Sequence, residues 1–513
     1  MFRECINLTT APLLSATTLS SCSYCYSGMF YDCVSLLTPP SLPATVLAQY
    51  CYQYMFYNCK SITTAPEINA TALQSYCYQN MFRGCISITD APNLPATTLQ
   101  TYCYEYMFYG CSKLVNVQEN LSATTLTNYC YHGMYIGCVS LVTAPNIKAT
   151  KLANNSCQEM FKGCVSLKNV QSSLLSTALT SSCYHSMYMS CTSLVTAPNI
   201  AATSLAGSCC VSMFSGCTSL TKTPDSLSST TLQANCYQYM FQNCTSLKSV
   251  SFNLPGTTIQ NYSYMGMFYG CTSLETAPVL SGTSIGQYGC QYMFRDCTSL
   301  TLPPALNATT LNNYCYSGMF MGCTSLTDTP TLPATSLKQA CYQSMFRNCT
   351  SLVNQAQLPA TTLTQTTCNY CYSYMFSGCT SLQTAPTLPA TTLASYCYDH
   401  MYYNCTSLVK APTLSSTTLQ TYCYQYMFAG YTSLETAPVL QAEKPVTQCY
   451  IYMFDGCSSL NHIEINLTTW ARSYTTYWVR GVAASGTFVK KSSANIELNS
   501  SSGVPSGWTV QNI

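Results

Sequence analysis

Charge is scarce in this sequence. Its 513 residues include only 19 Lys and Arg and 17 Asp and Glu, for a net charge of +2. Proteins that grip a nucleic-acid backbone use clustered Lys and Arg to displace counterions, so nucleic acid is not an expected partner. Long apolar runs are missing too. Apolar residues make up 47% of the chain, but Thr, Ser, Asn and Gln break every stretch. None reaches the ~20 residues of a membrane span. The four histidines, His132, His185, His400 and His462, lie at no metal-ligand spacing. The phosphate-binding, nucleophile-elbow, zinc-protease and dinucleotide motifs are absent. Acidic residues such as Asp32, Glu67, Asp90, Glu105, Asp225, Asp296 and Asp328 fall at different places in the pattern described next, so it sets up no carboxylate pair. No cofactor is implied, and an enzyme is not expected.

What the chain has instead is self-similarity. A Met, usually followed by Phe, recurs at Met1, Met29, Met55, Met81, Met107, Met134, Met160, Met187, Met213, Met240, Met267, Met293, Met319, Met345, Met375, Met401, Met427 and Met453. The spacing is 26 or 27 residues except for one gap of 28 and one of 30. A fixed period of this length marks a solenoid. Positions below are counted from this Met. In the copy Leu393 to Thr418, apolar residues fall at −8 (Leu393), −4 and −3 (Cys397, Tyr398), 0 and +1 (Met401, Tyr402) and +4 (Cys405). That spacing predicts one face of a helix, capped by Thr391 and Thr392 at its start and ended by Asn404. Leu408, Ala411 and Leu414 then read as inward positions of a short strand. Thirteen of the eighteen copies place Pro inside it, Pro412 here, and proline removes a ladder donor. Val117-Gln118, Val170-Gln171, Val250-Ser251 and Ile463-Glu464 replace the proline pair with better strand formers. The expected fold is therefore α/β: a solenoid of about 18 coils with a 26-residue period, each coil a helix and an imperfect parallel strand.

The string Met-Phe-x-Gly-Cys-Thr-Ser-Leu, as at Met319 to Leu326, followed by an extended segment ending Leu-Pro, resembles the BspA-like leucine-rich repeats. Those repeats carry an Ala-Phe-x-x-Cys-x-x-Leu core and a strand ending Ile-Pro. The resemblance spans residues 1–460. It implies a non-enzymatic extracellular or cell-surface scaffold, because similar repeats occur in attachment proteins of gut and oral bacteria and in proteins of their phages.

Thirty-six cysteines ordinarily suggest disulfides or zinc. Their columns suggest otherwise. Seventeen lie at +4, where Tyr431 is the single replacement. Fourteen lie at −4 and three at −3 (Cys157, Cys210, Cys290), leaving only Cys22 and Cys368 outside. Columns eight residues apart on a helix are about 12 Å apart, too far for a disulfide. Same-column neighbours in adjacent coils are close enough, but bonding them in pairs would break the even packing. A reduced, buried ladder of small apolar side chains is the expectation, with inter-coil disulfides as the alternative.

Recognition residues are sought in the columns that vary. Position −1 holds Tyr54, Tyr106, Tyr239, Tyr292, Tyr374, Tyr426 and Tyr452. Exposed tyrosines among few charges suit sugar stacking or protein contact. The opposing reading is that these rings pack on each other between coils. The nearly constant Tyr at −3 (Tyr26, Tyr52, Tyr78, Tyr398 and ten more) reads as core edge with its hydroxyl bonded. On the strand side, Lys168, Lys222, Asp225, Lys248, Glu275, Lys410 and Glu435 vary.

The repeat stops after Leu460, and residues 461–513 carry all three tryptophans and no cysteine. Gly486 to Lys490 and Trp508 to Val510 read as short strands, so this segment is expected to be a small β-rich cap. The chain opens on Met1-Phe2-Arg3-Glu4-Cys5, already inside a repeat, and is expected to be a fragment or to reach its destination without a secretory signal. The leading functional expectation is an adhesion scaffold recognising a host surface glycan or protein. The alternative is a structural component of a phage fibre, exposed on the virion surface, or of a filament of its own copies. An ice-binding array of threonines is a third.

Overall fold

A computed structural model of the chain describes residues 1–499 and 501–513. It divides into two compact units, Met1–Pro255 and Gly256–Ile513. Each is a stack of coils joined by hydrogen bonds between residues one repeat apart. In the first unit, β1 (Asn120–Leu121) pairs in parallel with β2 (Asn146–Ile147), and β3 (Ser173–Leu174) with β4 (Asn199–Ile200). The second unit holds β5 (Thr258–Ile259) paired with β6 (Ser284–Ile285). It also holds a three-stranded parallel sheet of β7 (His462–Glu464), β8 (Thr487–Lys490) and β9 (Thr509–Asn512). Single parallel bridges such as Thr64↔Asp90, Asp90↔Asn116 and Thr384↔Lys410 carry the same offset through other coils. Proline keeps these contacts short, since it cannot donate to a ladder. Where Gln stands in the proline column, its side chain works instead. Gln118 Oε1 accepts the amide of Leu94 at 2.6 Å, and Gln171 Oε1 that of Ile147 at 2.5 Å.

The expected helix is not formed, and the α/β assignment is corrected to a β-solenoid. Among the described residues the only helical element is a 3-10 turn, Arg472–Tyr474. The segment from −7 to +4 is a run of linked tight turns. In the coil of Met401, the amides of Cys397, Asp399, Met401, Tyr403 and Cys405 each bond the carbonyl three residues back. The amides of Tyr398, His400, Tyr402 and Asn404 leave the coil and bond Cys423, Gln425, Met427 and Ala429 of the next one, at 2.8 to 3.0 Å. Such turns need a left-handed residue every fourth position. Tyr396, His400 and Asn404 supply it here, with φ of 58°, 52° and 57°. A turn repeating every four residues places side chains inward at i, i+4 and i+8, the same spacing that a helix produces.

The core is a set of one-residue-wide stacks. In the first unit the rings at +1 run Phe30, Phe56, Phe82, Phe108, Tyr135, Phe161, Tyr188, Phe214 and Phe241, with centroids 5.5 to 5.6 Å apart and near-parallel planes. In the second, Phe268, Phe294, Phe320, Phe346, Phe376, Tyr402, Phe428 and Phe454 repeat the arrangement at 5.5 to 6.0 Å. Each such pair contributes about 0.5–1.5 kcal/mol beyond its buried area. Methionine at 0 and cysteine at +4 complete a fully buried interior from Met55 to Met453. In the final segment Trp478 is fully buried against Phe454 and Phe488. The strands read from Gly486 to Lys490 and Trp508 to Val510 are β8 and β9.

Candidate binding surface

The cysteines offer no reactive site inside the stack. One disulfide, Cys22–Cys25, closes within a single coil. The other cysteines are free, and every one except Cys5 is buried. At +4 the thiols donate to the +1 carbonyl of the preceding coil, for example Cys59 to Phe30 at 3.0 Å, Cys138 to Phe108 at 3.1 Å and Cys323 to Phe294 at 3.0 Å. Burial pushes the thiols up, to about 12 for Cys164, Cys217 and Cys405. The thiolate is the nucleophile and metal ligand, so these sulfurs are held in their unreactive form. Among the described residues no cluster of three or more His, Cys, Asp or Glu is placed to hold a metal ion.

The tyrosines at −3 are buried as expected from Tyr52 onward, with Tyr26 half-buried, but the expectation of a bonded hydroxyl is corrected. The hydroxyls of Tyr52, Tyr78, Tyr104, Tyr316, Tyr342 and Tyr372 are buried without a hydrogen-bond partner. Tyr424 is different, since its hydroxyl bonds Ser416. Eight residues before Tyr52, Tyr78, Tyr104, Tyr316 and Tyr342 stand Ala44, Ala70, Ala96, Ala308 and Ala334, which have nothing to offer.

The tyrosines at −1 are all half-buried. Their surroundings differ with the residue that follows in the next coil. Tyr374, His400, Tyr426, Tyr452 and Tyr477 form a continuous stack in the second unit, with centroids 4.3, 4.5, 4.4 and 5.5 Å apart. Their faces cover one another, so edges and hydroxyls are what they present. Arg347 and Arg480 lie over its ends, 5.0 Å from Tyr374 and 5.4 Å from Tyr477. Asp399, buried beside it, bonds His400 at 2.6 Å and accepts from Ser373 at 3.2 Å. Tyr106 and Tyr292 are instead followed by Gly133 and Gly318, over which their rings lean. Tyr54 meets Tyr57 edge-on at 5.9 Å. Tyr239 is half-buried in the same column.

On the strand side the first unit has a groove of about 720 Å³. Its walls come from the four coils that begin at Met160, Met187, Met213 and Met240. Lys168, Asn169, Lys222 and Asp225 are exposed along it, and Asn199 is half-buried. Asn199 donates to Asp225 at 2.7 Å and accepts that residue's amide at 2.8 Å. Gln171 and Ser251, where the proline pair is absent, form part of the lining. The variable strand-side residues Lys168, Lys222 and Asp225 thus line one groove. The groove itself was not legible in any one coil, because it arises where four coils adjoin, two of them without the proline.

A second polar row went unread in the sequence. Gln53 donates to Gln79, which donates to Glu105, whose other oxygen meets His132 Nδ1 at 2.9 Å. Glu105 and His132 are buried. All four stand at −2 in consecutive coils, a column whose residues look unrelated in any single repeat.

The model of the BspA type leucine rich repeat region matches overlapping stretches that together run from residue 1 to residue 475. No curated protein matches the chain. A leucine-rich repeat protein from Bacteroides ovatus is 18% identical, over 84% of this chain and 83% of its own, with a TM-score of 0.36. A leucine rich cell surface protein from Faecalibacterium prausnitzii is 16% identical, over 68% of this chain and 87% of its own, with a TM-score of 0.34. No helix among the described residues is long and apolar enough to cross a membrane.

Proposed function

This chain belongs to the BspA-type leucine-rich repeat family, and from that premise we propose that it is a non-catalytic extracellular or cell-surface scaffold that binds a host glycan or protein through its repeat surface. The observation that carries the reading is the strand-side groove, where Lys168, Asn169, Asn199, Lys222 and Asp225 converge on about 720 Å³. A groove of that size accommodates a ligand segment of the drug-sized class or larger. Its mixed donors and acceptors suit hydroxyls and amides better than a bare anion. The tyrosines at −1, Tyr54, Tyr106, Tyr239, Tyr292, Tyr374, Tyr426 and Tyr452, add amphipathic ring edges elsewhere on the surface. The backbone ladder makes this surface rigid before binding, which lowers the ordering cost of association.

The test is to apply the purified chain to a glycan array and to cultured host epithelial cells. Binding well above background, reduced at least tenfold by the double substitution Lys168→Ala and Lys222→Ala, is the expected result. Background-level signal on both surfaces overturns the reading.

A further inference from the structure

Charge is sparse in this chain, and in the first unit three charged side chains meet a pair of aromatic rings. Arg83, Tyr106, Tyr109, Ile136, Glu159 and Lys162 line a cavity of about 250 Å³ in the first unit. They come from four successive coils, at positions −1 and +2 only. The cavity exists because glycine follows tyrosine in the −1 column. A Cβ on Gly133 would sit 2.3 Å from the Tyr106 ring, so only glycine in the next coil lets that ring lean over. Tyr106 then meets Tyr109 at 79° with centroids 5.9 Å apart, making an apolar corner. Behind the corner runs the buried −2 row. The Tyr106 hydroxyl and His132 Nε2 are 3.1 Å apart, and His132 Nδ1 is fixed on Glu105. These contacts hold the ring in place before any ligand arrives.

The charges in the cavity are unequal. Glu159 is engaged by Lys162 at 2.6 Å. Arg83 lies 4.3 Å over the Tyr109 ring, and its side chain donates to the neutral Asn80 at 3.1 Å. Among the described residues no carboxylate pairs with Arg83, so the lining carries two cations against one carboxylate. A guanidinium over an aromatic ring keeps its in-plane donors directed at an incoming carboxylate.

We propose that this cavity is a binding subsite for an acidic monosaccharide, with the sugar carboxylate on Arg83, the C–H face of the ring in the Tyr106–Tyr109 corner, and its hydroxyls on the Glu159–Lys162 pair. Three features choose a sugar over another carboxylate. The volume is below the ~300–1,000 Å³ of drug-sized sites and admits a single ring. The apolar corner matches the C–H face of a pyranose. The Glu159–Lys162 pair offers an acceptor and a donor side by side, which vicinal hydroxyls can satisfy together and an alkyl carboxylate cannot. The inference deepens the scaffold reading and rests on it, but uses a different surface from the strand-side groove.

The test is saturation-transfer NMR on the whole chain with the methyl glycosides of glucuronic acid, N-acetylneuraminic acid and glucose. An acidic sugar should show transfer with an affinity in the millimolar range, and glucose should show at least tenfold less. Arg83→Gln should cut the acidic-sugar signal at least tenfold, and Arg347→Gln, in the same column of the second unit, should leave it unchanged. Ile136→Trp, which fills the cavity without changing a charge, should abolish it. Thermal melts matching the parent chain show that these variants fold. Equal transfer to glucose, no transfer to either acid, or transfer that survives Arg83→Gln and Ile136→Trp overturns the proposal. Array binding that persists in Arg83→Gln while the sugars fail in NMR removes this subsite and leaves the scaffold reading standing.

Discussion

The Sγ of Cys59 lies 3.0 Å from the carbonyl oxygen of Phe30, and that oxygen also accepts the amide of Cys33 at 3.1 Å. The carbonyl at +1 thus uses one lone pair within its own coil and the other on the thiol of the next. Cysteine suits the +4 column for this reason. It is small and apolar, and it still carries a weak donor. Alanine would keep the size class but leave the carbonyl half-served and a void beside the ring stack. Cys323→Ala is therefore expected to destabilise by about 1–3 kcal/mol, read as a lower Tm. Cys323→Ser, which keeps a donor, should lose less. Equal losses for the two would remove the hydrogen-bond argument and leave packing alone.

Reactivity follows from the same burial. With burial raising the thiols of Cys164, Cys217 and Cys405 to about 12, almost no thiolate exists at these positions at neutral pH. Native chain treated with an excess of a maleimide at pH 7 should be labelled at the exposed Cys5 alone. After denaturation all free cysteines should react, and Cys22 and Cys25 should remain unlabelled until reduced. Rapid native labelling at the +4 column would show that the stack opens locally.

Much of the stack was legible in the sequence, because inward residues announce themselves by column. Met401, Cys405 and Leu408 are fully buried where the repeat placed them. The helix was misread for a definite reason. At +3 the chain from Met29 onward uses Gly, Asn, Asp or Ser, which reads as one helix C-cap per coil. The same left-handed need recurs at −1 and −5, but there Tyr426 and Tyr422 fill it, with φ of 51° and 59°. Tyrosine carries no left-handed signature, so the four-residue turn period passed for a helical one. The surface was legible only by column and not by environment. Tyr106 and Tyr452 are equivalent by position, yet one leans over Gly133 and the other stacks on Tyr477. That distinction lies about one repeat further along the chain.

The unpartnered hydroxyl of Tyr78 stands in the register where Tyr424 bonds Ser416. Ala70 occupies the matching position and is fully buried. Ala70→Ser should therefore give the Tyr78 hydroxyl a partner and stabilise by about 1 kcal/mol. Tyr78→Phe should also stabilise, by removing a buried polar group with no partner. In the double variant the new serine has nothing to bond, so its benefit should vanish. A double-mutant cycle on Tm measures that coupling. Additive effects would mean that the serine and tyrosine do not meet.

Burial holds the His185 imidazole below its ordinary pKa, with Lys162 and His132 adding to the effect and Glu159 opposing it. The unfolded chain then takes up a proton near the ordinary value of ~6.5 before the folded one does. Stability on this account is unchanged above that pH and falls as the pH drops through it. The Tm of the parent chain should decline between pH 7 and pH 5.5 more steeply than that of His185→Gln. Parallel curves would assign the acid sensitivity to other groups.

Trp478 stands where the preceding coils place methionine. Phe454 donates its amide to the Trp478 carbonyl at 2.8 Å, as Phe428 does to Met453 at 2.9 Å. The indole is fully buried between Tyr450, Phe454 and Phe488, and its Nε1 donates to the Gly503 carbonyl at 3.0 Å. It therefore ties β8 and the segment near Gly503 onto the last cysteine-bearing coil. Trp478→Ala should cost about 3–5 kcal/mol, and the loss should fall first on residues 461–513. Trp478→Met restores the repeat residue and most of the apolar volume, but leaves the Gly503 carbonyl without its donor. It should recover part of the loss and not all of it. Hydrogen exchange resolves the two contributions, since amides of β8 should be unprotected in Trp478→Ala and protected in Trp478→Met. Equal protection in both would mean that the strands hold without the ring.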